Sequence, residues 1–453
     1  MSSYRPTQTT QYRIKKLILI TEAGEFELAA AFEELNIYDN IFTPCMSGNV
    51  IIRDALNFTD HFVLDGKEKI HILVDKGDEF PDPAYTFERI FKVYDISSFS
   101  NHNFTSKLFK IQFYSEEFLF SEQQKVQKAF SGLYSDFVKE ILMEYLKVPE
   151  ARPVDGKAGM DLDKFNIPTE GIVDINSPNM TPFDTIEWMT RRSLNKELPQ
   201  YLFYETKYGY CFTTLDRLIT QDYNFPGSEY EIPELNFNPK HIVGSTIKDE
   251  LYGIRRYKII SSFRVSENTT NGAYAGKVFC YDPMSRKKKM RYIDTVNEIY
   301  PKLEHLNDFP LYPRGVDYNE KFDSRYLVYP FEIIRNDVPY IMSHYPKLGE
   351  RPDNTQDYVF QRWAIFYNLM QRRMQIVVPG NFAWCSSQVV KVKVPTYTTM
   401  DEGVTDYNGK YLIVGVRHTI RYDKHETVME VASDSTNRFS FTKIEDEKFW
   451  KYV

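Results

Sequence analysis

The sequence has few cysteines, and their spacing excludes two kinds of cysteine chemistry. Its 453 residues include only four cysteines, Cys45, Cys211, Cys280 and Cys385. They are far apart and form no CxxC pair, which argues against a disulfide framework and against a cysteine-rich zinc site. We therefore expect free, buried thiols in a protein made in a reducing compartment.

Long apolar runs and an excess of positive charge are also missing. The N-terminal residues are polar, and the longest apolar run near them, Leu17 to Ile20, has the length of a strand. A bilayer-spanning helix needs about 20 apolar residues, so we expect no signal peptide, no membrane anchor and synthesis in the cytoplasm. With 56 Lys and Arg against 63 Asp and Glu, the net charge is −7, which argues against a dedicated nucleic-acid-binding protein.

Aromatic side chains, in contrast, are abundant. The 33 tyrosines, 33 phenylalanines and four tryptophans make up 15% of the chain, and 42% of the residues are hydrophobic. This composition favours β-rich structure or large protein interfaces. At roughly 100–200 residues per domain, we expect about two to four domains, each with its own core.

Residues 1–120 are predicted to form a first antiparallel β domain. From Leu108 to Tyr114, apolar and polar residues alternate with the period of a half-buried strand. Five strand-like runs separated by turn-rich segments indicate a small barrel or sandwich. These runs are residues 13–20, 48–53, 69–75, 87–96 and 108–114.

Residues 121–238 are predicted to form an α+β middle domain. Apolar residues recur every four positions from Leu133 onward, which indicates an amphipathic helix that Pro149 ends. A second helix is expected to begin after Thr181, whose hydroxyl is a suitable N-terminal cap before Pro182. Two strand-like segments follow, and the turn between them indicates a hairpin. They are residues 201–205 and 210–212.

The remaining residues are predicted to form a second β domain with an insertion. Residues 239–285 and 376–434 carry its strands, residues 286–375 form the insertion, and residues 435–453 form a C-terminal tail. We expect a long strand from Arg256 to Val265 paired with residues 273–281. Within the insertion, a stripe of apolar residues predicts a helix from about position 356 to 375, with Arg372 and Arg373 at its negative end.

Three further strands are predicted near the C-terminus, over residues 388–394, 411–421 and 426–432. In the middle strand, alternate positions are apolar and are expected to share one face. These positions are Leu412, Val414, Val416, His418 and Ile420.

Several patterns in the sequence resemble sites of chemistry, but none has the spacing that catalysis or ligand binding requires. Residues 272–278 superficially resemble a phosphate-binding loop, but they are one residue short and Val278 stands where Ser or Thr is needed. His418 is interpreted as a core histidine and His425 as a turn residue. The carboxylate pairs are interpreted as solvated faces. These pairs are Glu116 with Glu117 and Asp161 with Asp163.

The sequence therefore predicts no catalytic, cofactor-binding or metal-binding residue, and no enzyme. HExxH and GxSxG motifs are absent.

One charge cluster stands out, with five cations in six residues. It comprises Arg286, Lys287, Lys288, Lys289 and Arg291. A solvated loop, an acidic protein interface and a phosphate contact remain open as interpretations, in that order of preference.

Two C-terminal segments resemble the closing strand pair of contractile-tail baseplate hub proteins. The segment from Gly409 to Ile420 matches a glycine-led strand of the pattern Y-L-V-x-x-V-x-H, and residues 427–434 match the strand and polar tail that follow it. This family includes the hub of T-even-type phages, the tail protein D family and the hub part of VgrG proteins. Three other segments resemble its middle domain or its first tube domain. They are residues 177–186 with the hairpin over 203–212, residues 25–28, and residues 47–53.

The resemblance implies a β-rich α+β fold with two tube-type antiparallel β-barrel domains, an α+β middle domain and a helix-containing insertion. It further implies a homotrimer that forms a pseudo-sixfold ring between the sixfold tail tube and the threefold central spike, with a channel for tape-measure protein and DNA. The implied partners are a central spike protein, a tail tube or tube-initiator protein, the tape-measure protein and baseplate wedge proteins. The expected location is the virion tail baseplate, after synthesis in the host cytoplasm.

Two alternatives remain open. The aromatic content also permits a glycan-binding tail or receptor-binding module, and a virion-associated cell-wall hydrolase is less favoured because no carboxylate pair of the required kind was found.

Overall fold

A computed structural model describes most of the chain. The described residues are 9–54, 65–103, 106–165, 167–221, 232–237, 250–281, 288–311, 325–330, 355–394, 407–422 and 424–437. Within these ranges the protein is β-rich and its strands are mainly antiparallel, as the sequence predicts. Thirteen of the strands belong to one large sheet. None of the described helices has the length and apolar character needed to cross a membrane.

The first part of the chain forms a curled antiparallel sheet. Its strands are β1 (Arg13–Thr21), β2 (Gly24–Glu27), β3 (Phe32–Asn40), β4 (Ser47–Asp54), β5 (Lys69–Asp75), β6 (Phe87–Asn103) and β7 (Ser106–Ser115). They lie in the order β3-β4-β7-β6-β5-β1-β2. Leu35 of β3 and Leu19 of β1 belong to the same buried cluster although their strands are far apart in that order. The sheet therefore curls around one core, which the alternating apolar residues supply.

The middle part combines short helices and hairpins around a second core. Its elements are α1 (Glu116–Glu122), β8 (Ala129–Gly132), α2 (Tyr134–Glu144), β9 (Val173–Asn176), α3 (Pro182–Thr190), β10 (Tyr201–Thr206), β11 (Gly209–Thr214) and α4 (Leu215–Thr220). The hydroxyl of Thr181 accepts a hydrogen bond from the amide of Asp184 at 3.3 Å, so α3 begins with the predicted cap. β10 and β11 form the predicted hairpin, and Gly209 supplies its positive φ of 120°.

The last part returns to strands and adds a small separate sheet. Its elements are β12 (Glu234–Asn236), β13 (Arg256–Ser261), α5 (Val265–Asn271), β14 (Ala275–Tyr281), β15 (Lys288–Asp294), β16 (Phe309–Pro310), β17 (Tyr326–Pro330), α6 (Thr355–Leu369), β18 (Arg372–Pro379), β19 (Val389–Lys393), β20 (Gly409–Arg421), β21 (Lys424–Ser433) and β22 (Ser435–Thr436). β13, β18, β21 and β20 are consecutive neighbours in the large sheet, while β15, β14 and β17 form their own sheet.

The two β regions are joined edge to edge by β3 and β20. These strands pair antiparallel from Gly415 opposite Asn40 to Arg421 opposite Glu34. The hydroxyl of Thr419 donates a hydrogen bond to Asn36 Oδ1 at 2.9 Å across this junction. One hydrogen-bonded sheet thus runs through the N-terminal and C-terminal parts of the chain.

The predicted pairing of Arg256–Val265 with residues 273–281 is wrong. The strand ends at Ser261, and α5 begins at Val265 a few residues later. Gly272, with a left-handed φ of 78°, caps the C-terminal end of α5. β13 instead pairs with β18, and β14 pairs with β15 and β17.

The helix predicted over residues 356–375 is too long. α6 ends at Leu369, and Arg372 and Arg373 belong to β18. Met374, Ile376 and Val378 are fully buried there and belong to one core cluster. Burial of every second residue is typical of a strand, and β18 pairs with β13 on one side and with β21 on the other.

The predicted apolar positions of β20 do not all share one face, because a β-bulge interrupts the strand. The register with β21 shifts between Ile413 and Gly415. Leu412 and Val414 pack into one core, whereas Ile413 and Val416 pack into another. The extra residue moves the following side chains to the opposite face, so a single strand contributes to both cores.

Candidate functional site

The segment that resembles a phosphate-binding loop has a different structure. A phosphate-binding loop follows a strand and opens a helix, but here α5 ends just before the segment and β14 begins within it, at Ala275. Gly276 packs against α6, since a Cβ at this position would lie 2.3 Å from Phe360 Cζ. Gly276 therefore serves close packing between α6 and the sheet.

The two C-terminal histidines lie together in the core. His418 Nδ1 is 3.3 Å from His425 Nε2 and 3.1 Å from Thr427 Oγ1. Burial lowers the pKa of His418 to about 3 and also lowers the pKa of His425. The interpretation of His418 as a core histidine agrees with this placement, but His425 is buried in β21 and not in the turn.

The two members of each carboxylate pair contact different groups. One member of each is buried or half-buried rather than fully solvated as predicted. Asp161 is buried and lies 3.8 Å from Cys211 Sγ, whereas Asp163 is exposed and forms an ion pair with Arg152. Burial raises the pKa of Glu117, whose carboxylate lies 3.4 Å from the hydroxyl of Tyr210. Within the described part of the chain, no group of three or more His, Cys, Asp or Glu residues could hold a metal ion.

Two further sequence predictions can be compared with the structure. Cys45, Cys211 and Cys385 are free and buried, as predicted, and the side chain of Cys280 lies outside the described residues. The basic run is not a loop over its described part, because Lys288 to Arg291 lie in β15. Arg286 and Lys287 lie outside the described residues.

The strongest polar feature that the sequence did not reveal is a buried ion pair between the first β region and the middle part. Arg89 of β6 contacts Glu205 of β10, and their side chains are only 2% and 0% exposed. The second carboxylate oxygen of Glu205 accepts hydrogen bonds from the amide of Met46 at 2.9 Å and from the hydroxyl of Ser115 at 2.5 Å. Glu205 thus connects four segments at one junction.

A second buried junction joins all three parts of the chain. Asp39 of β3 accepts a hydrogen bond from the amide of Ser386 at 3.2 Å, and Lys164 of the middle part donates to Ser387 Oγ at 2.9 Å. Burial raises the pKa of Asp39 to about 7, against the opposing effects of the Ser386 hydrogen bond and the charge of Lys164. Lys207 of the β10–β11 turn donates to the carbonyl of Thr86 at 3.3 Å. These contacts fix the relative positions of the parts.

A third polar cluster attaches residues 300–311 to residues 433–435, at the C-terminal end of β21. His305 bonds to Asp434 and to the carbonyl oxygen of Tyr300. Asn307 Nδ2 donates to Ser433 Oγ at 3.1 Å, and the amide of Asn307 donates to Ser435 Oγ at 2.7 Å. The same segment pairs with β22 through β16. Several side-chain hydrogen bonds and one strand pairing therefore attach residues 300–311 to the end of β21.

The arrangement is compatible with known tail proteins. No family model matches the sequence, and a comparison with curated proteins gives no match. Among solved structures, the tail protein from Neisseria meningitidis MC58 is similar with a TM-score of 0.51 and 11% identity, over 93% of this chain and 97% of that chain. At this identity the similarity shows the fold alone. The chain therefore shares the fold of that protein over nearly its full length.

Two other solved structures have lower TM-scores, both 0.48. One is the 43 kDa tail protein of prophage MuSo2 from Shewanella oneidensis, at 9% identity over 93% of this chain and 98% of that chain. The other is a chain of the Francisella PdpA-VgrG complex, at 12% identity over 95% of this chain and 54% of that chain.

Proposed function

We propose that the protein is a non-catalytic structural hub of a contractile phage tail baseplate. The observation that carries this proposal is the pairing of β3 with β20, which joins the two β regions of one chain edge to edge. The similarity in fold to the tail protein from Neisseria meningitidis MC58, over 93% of this chain, supports the same assignment.

In this proposal, residues 1–120 form one tube-type barrel, and residues 239–285 with 376–434 form the other. Three copies would then supply six such units to a pseudo-sixfold ring. Ring closure pairs strand edges that would otherwise remain open to aggregation. The two buried junctions and the half-buried cluster around His305 favour such a role, because they hold the parts of each chain in a fixed geometry.

The ring would join a sixfold tail tube to a threefold central spike and leave a channel for tape-measure protein and DNA. Its partners would be the spike protein, a tail tube or tube-initiator protein, the tape-measure protein and baseplate wedge proteins. The location would be the virion tail baseplate.

Light scattering on the purified full-length protein tests this proposal. A chain of 53.5 kDa is expected to give a trimer of about 160 kDa, and negative-stain images should show a ring with threefold symmetry and six lobes. The result that would overturn the proposal is a monomer that remains monomeric when mixed with the tube and spike proteins encoded in the same genome.

A further inference from the structure

The strands of the first and last parts of the chain repeat one arrangement. In the first part, β3, β4, β7, β6 and β5 are neighbours in that order, and each adjacent pair is antiparallel. In the last part, β13, β18, β21, β20 and β19 are neighbours in the matching order, and each adjacent pair is again antiparallel. The strands of the two sets also succeed one another along the chain in the same order. By this match, β13 is the counterpart of β3, and β20 is the counterpart of β6.

The two sets also agree in register, because each contains a β-bulge at the same place. The bulge follows Val93 in β6 and Ile413 in β20, and both of these residues are buried in a core. Bulges are specific features of a sheet and not defects, so their shared position aligns the two sets residue by residue. The row of paired residues that starts at the bulge is Val93, Phe113, Gly48 and Ile37 in the first part, and Ile413, Val431, Met374 and Ile259 in the last part.

Half of β6 lacks a neighbour that its counterpart has. On the side away from β21, β20 pairs with β19 over residues 409–412 and with β3 over residues 415–421. On the side away from β7, β6 pairs with β5 over residues 87–92. No strand in the described part of the chain pairs with residues 94–103 on that side. The place that β3 takes beside β20 is thus open beside β6.

Strand β13 is open in the complementary way. It ends the large sheet, with β18 on one side and none of the described strands on the other, whereas its counterpart β3 lies between β4 and β20. Ile259 and Ile260 are 37% and 39% exposed. Since successive strand residues point to opposite faces, both faces of β13 are accessible. An open edge strand with apolar side chains is a template for pairing with another strand.

The charged side chains of β13 do not exclude such pairing. Exposed cations on edge strands often prevent association, and β13 carries Arg256 and Lys258. The junction between β3 and β20 nevertheless forms with charged residues in both strands, and there Arg421 Nε donates a hydrogen bond to Glu34 Oε2 at 2.9 Å. Charged residues are therefore compatible with this type of junction.

We infer that β13 of one copy of this protein pairs antiparallel with residues 94–103 of β6 in a second copy, as β3 pairs with β20 within one chain. The inference rests on the proposed ring and specifies the contact between its subunits. The two surfaces belong to different strands, so the contact is head-to-tail. A head-to-tail contact generates a ring when its rotation closes.

The matched registers predict which residues meet across this contact. Ser261 of β13 has the position of Tyr38 in β3, one pair beyond the shared row. Ser97 of β6 has the position of Arg417 in β20, four residues beyond the core residue before the bulge. Because Tyr38 and Arg417 are directly opposite each other, Ser261 of one copy should lie opposite Ser97 of the next.

Disulfide cross-linking of the full-length protein tests this pairing. In a Cys280→Ser background, Ser97→Cys/Ser261→Cys would be oxidised with copper phenanthroline and analysed on a non-reducing gel. Directly opposed residues of antiparallel strands have Cα atoms about 4.5–5.5 Å apart, which a disulfide can span. Most of the protein should become covalent dimers and trimers that a reductant separates. The single variants should remain monomeric on the gel.

The matched control is Glu25→Cys/Ser261→Cys in the same background. Glu25 lies in β2, the strand at the other end of the large sheet, so this variant should not cross-link. Cross-linking of the control, or of Ser261→Cys alone, would overturn the inference, because β13 would then pair with β2 or with a second β13.

The inference and the proposed ring can fail separately. A trimer in light scattering that gives no cross-link between positions 97 and 261 would overturn the inference and leave the ring intact. Cross-links in open-ended chains of copies would support the pairing and contradict the ring. A monomer without cross-links would overturn both.

Hydrogen exchange on the wild type gives a second measurement if a cysteine variant fails to fold by circular dichroism. In the assembled protein, the amides of residues 94–103 and 256–261 should exchange as slowly as those of residues 415–421, because both sides of each strand are then hydrogen-bonded. Fast exchange of every second amide in these segments of the assembled protein would overturn the inference.

Discussion

The imidazole of His305 lies between two acceptors, with Nδ1 2.7 Å from Asp434 Oδ2 and Nε2 2.9 Å from the carbonyl oxygen of Tyr300. A carbonyl oxygen cannot donate, and neither can an ionised carboxylate, so both ring nitrogens carry protons in this arrangement. Burial by itself lowers the pKa of His305, but the hydrogen bond to Asp434 and its charge outweigh burial and raise the pKa above its ordinary value of 6.5.

This arrangement predicts that His305 stabilises the protein most in its charged form. Because the pKa is raised in the folded state, the contribution is complete below about pH 6.5 and is lost as the pH rises through the folded value. In urea unfolding from pH 6.5 to pH 9, the free energy of unfolding of the wild type minus that of His305→Gln should fall as the pH rises. The buried lysines Lys76 and Lys207, whose pKa values burial lowers to about 7 and about 8, titrate in both proteins and cancel in this difference. Burial of His418 acts in the opposite direction, since its pKa is lowered to about 3, but that effect lies below pH 6.5.

The partner variant Asp434→Asn provides the control for this prediction. Asp434→Asn should change the pH dependence of the free energy of unfolding in the same way as His305→Gln. The double variant His305→Gln/Asp434→Asn should differ little from either single variant, because both changes remove the same interaction. Equal pH profiles for the wild type and His305→Gln would contradict the role given to this pair.

Breaking the ion pair between Arg89 and Glu205 should be strongly destabilising. Arg89→Met leaves the carboxylate of Glu205 buried without its cation, which costs about 3–5 kcal/mol in comparable cases. Urea unfolding measures the loss. Arg152→Met is a matched control, because Arg152 and Asp163 are 67% and 75% exposed, and such a pair contributes about 1 kcal/mol or less. Similar losses for both variants would show that the buried pair has no special importance.

The hydrogen bond between the two β regions should contribute measurably to stability. Thr419→Val keeps the shape of the side chain but removes the donor to Asn36 Oδ1, which should lower the free energy of unfolding by roughly 1–2 kcal/mol. Thr43→Val is the control, because the hydroxyl of Thr43 bonds to the carbonyl of Asn40 at an exposed turn. A loss for Thr419→Val no larger than that for Thr43→Val would count against this contribution.

The described thiols should be unreactive in the folded protein. Burial raises the pKa of Cys45 and of Cys385 to about 12 and also raises the pKa of Cys211, so little thiolate is present at neutral pH. In a Cys280→Ser background, DTNB should label these three thiols only after unfolding in urea. Rapid labelling of the folded protein at pH 8 would contradict their burial.

Strong local patterns made much of the fold predictable from the sequence. Strand β5 was predicted with the bounds Lys69–Asp75 that it has in the structure, because its alternating residues pack into one core. Thr181 was correctly predicted to cap α3, because that hydrogen bond forms within one helical turn. Elements that depend on interactions between residues close in sequence could thus be predicted from the sequence.

Strand β3 was missed because its stability depends on distant parts of the chain. It contains Glu, Asn and Asp, which are uncommon in strands. Asn36 and Asp39 are nevertheless buried, since Thr419 and Ser386 bond to them from the far end of the sequence. The buried pair of Arg89 and Glu205, 116 positions apart, was not visible in the sequence for the same reason.

The pairing of β3 with β20 has a consequence for synthesis on the ribosome. Asn36 and Thr419 are 383 positions apart, so one side of β3 stays without its neighbour until almost the whole chain has emerged. Domains generally fold as units from the N-terminus during translation, at about 5–20 residues per second. At that rate, the half-formed sheet waits roughly 20–80 seconds with an open edge. During that interval a neighbouring nascent chain on the same messenger RNA can pair with that edge and exchange strands.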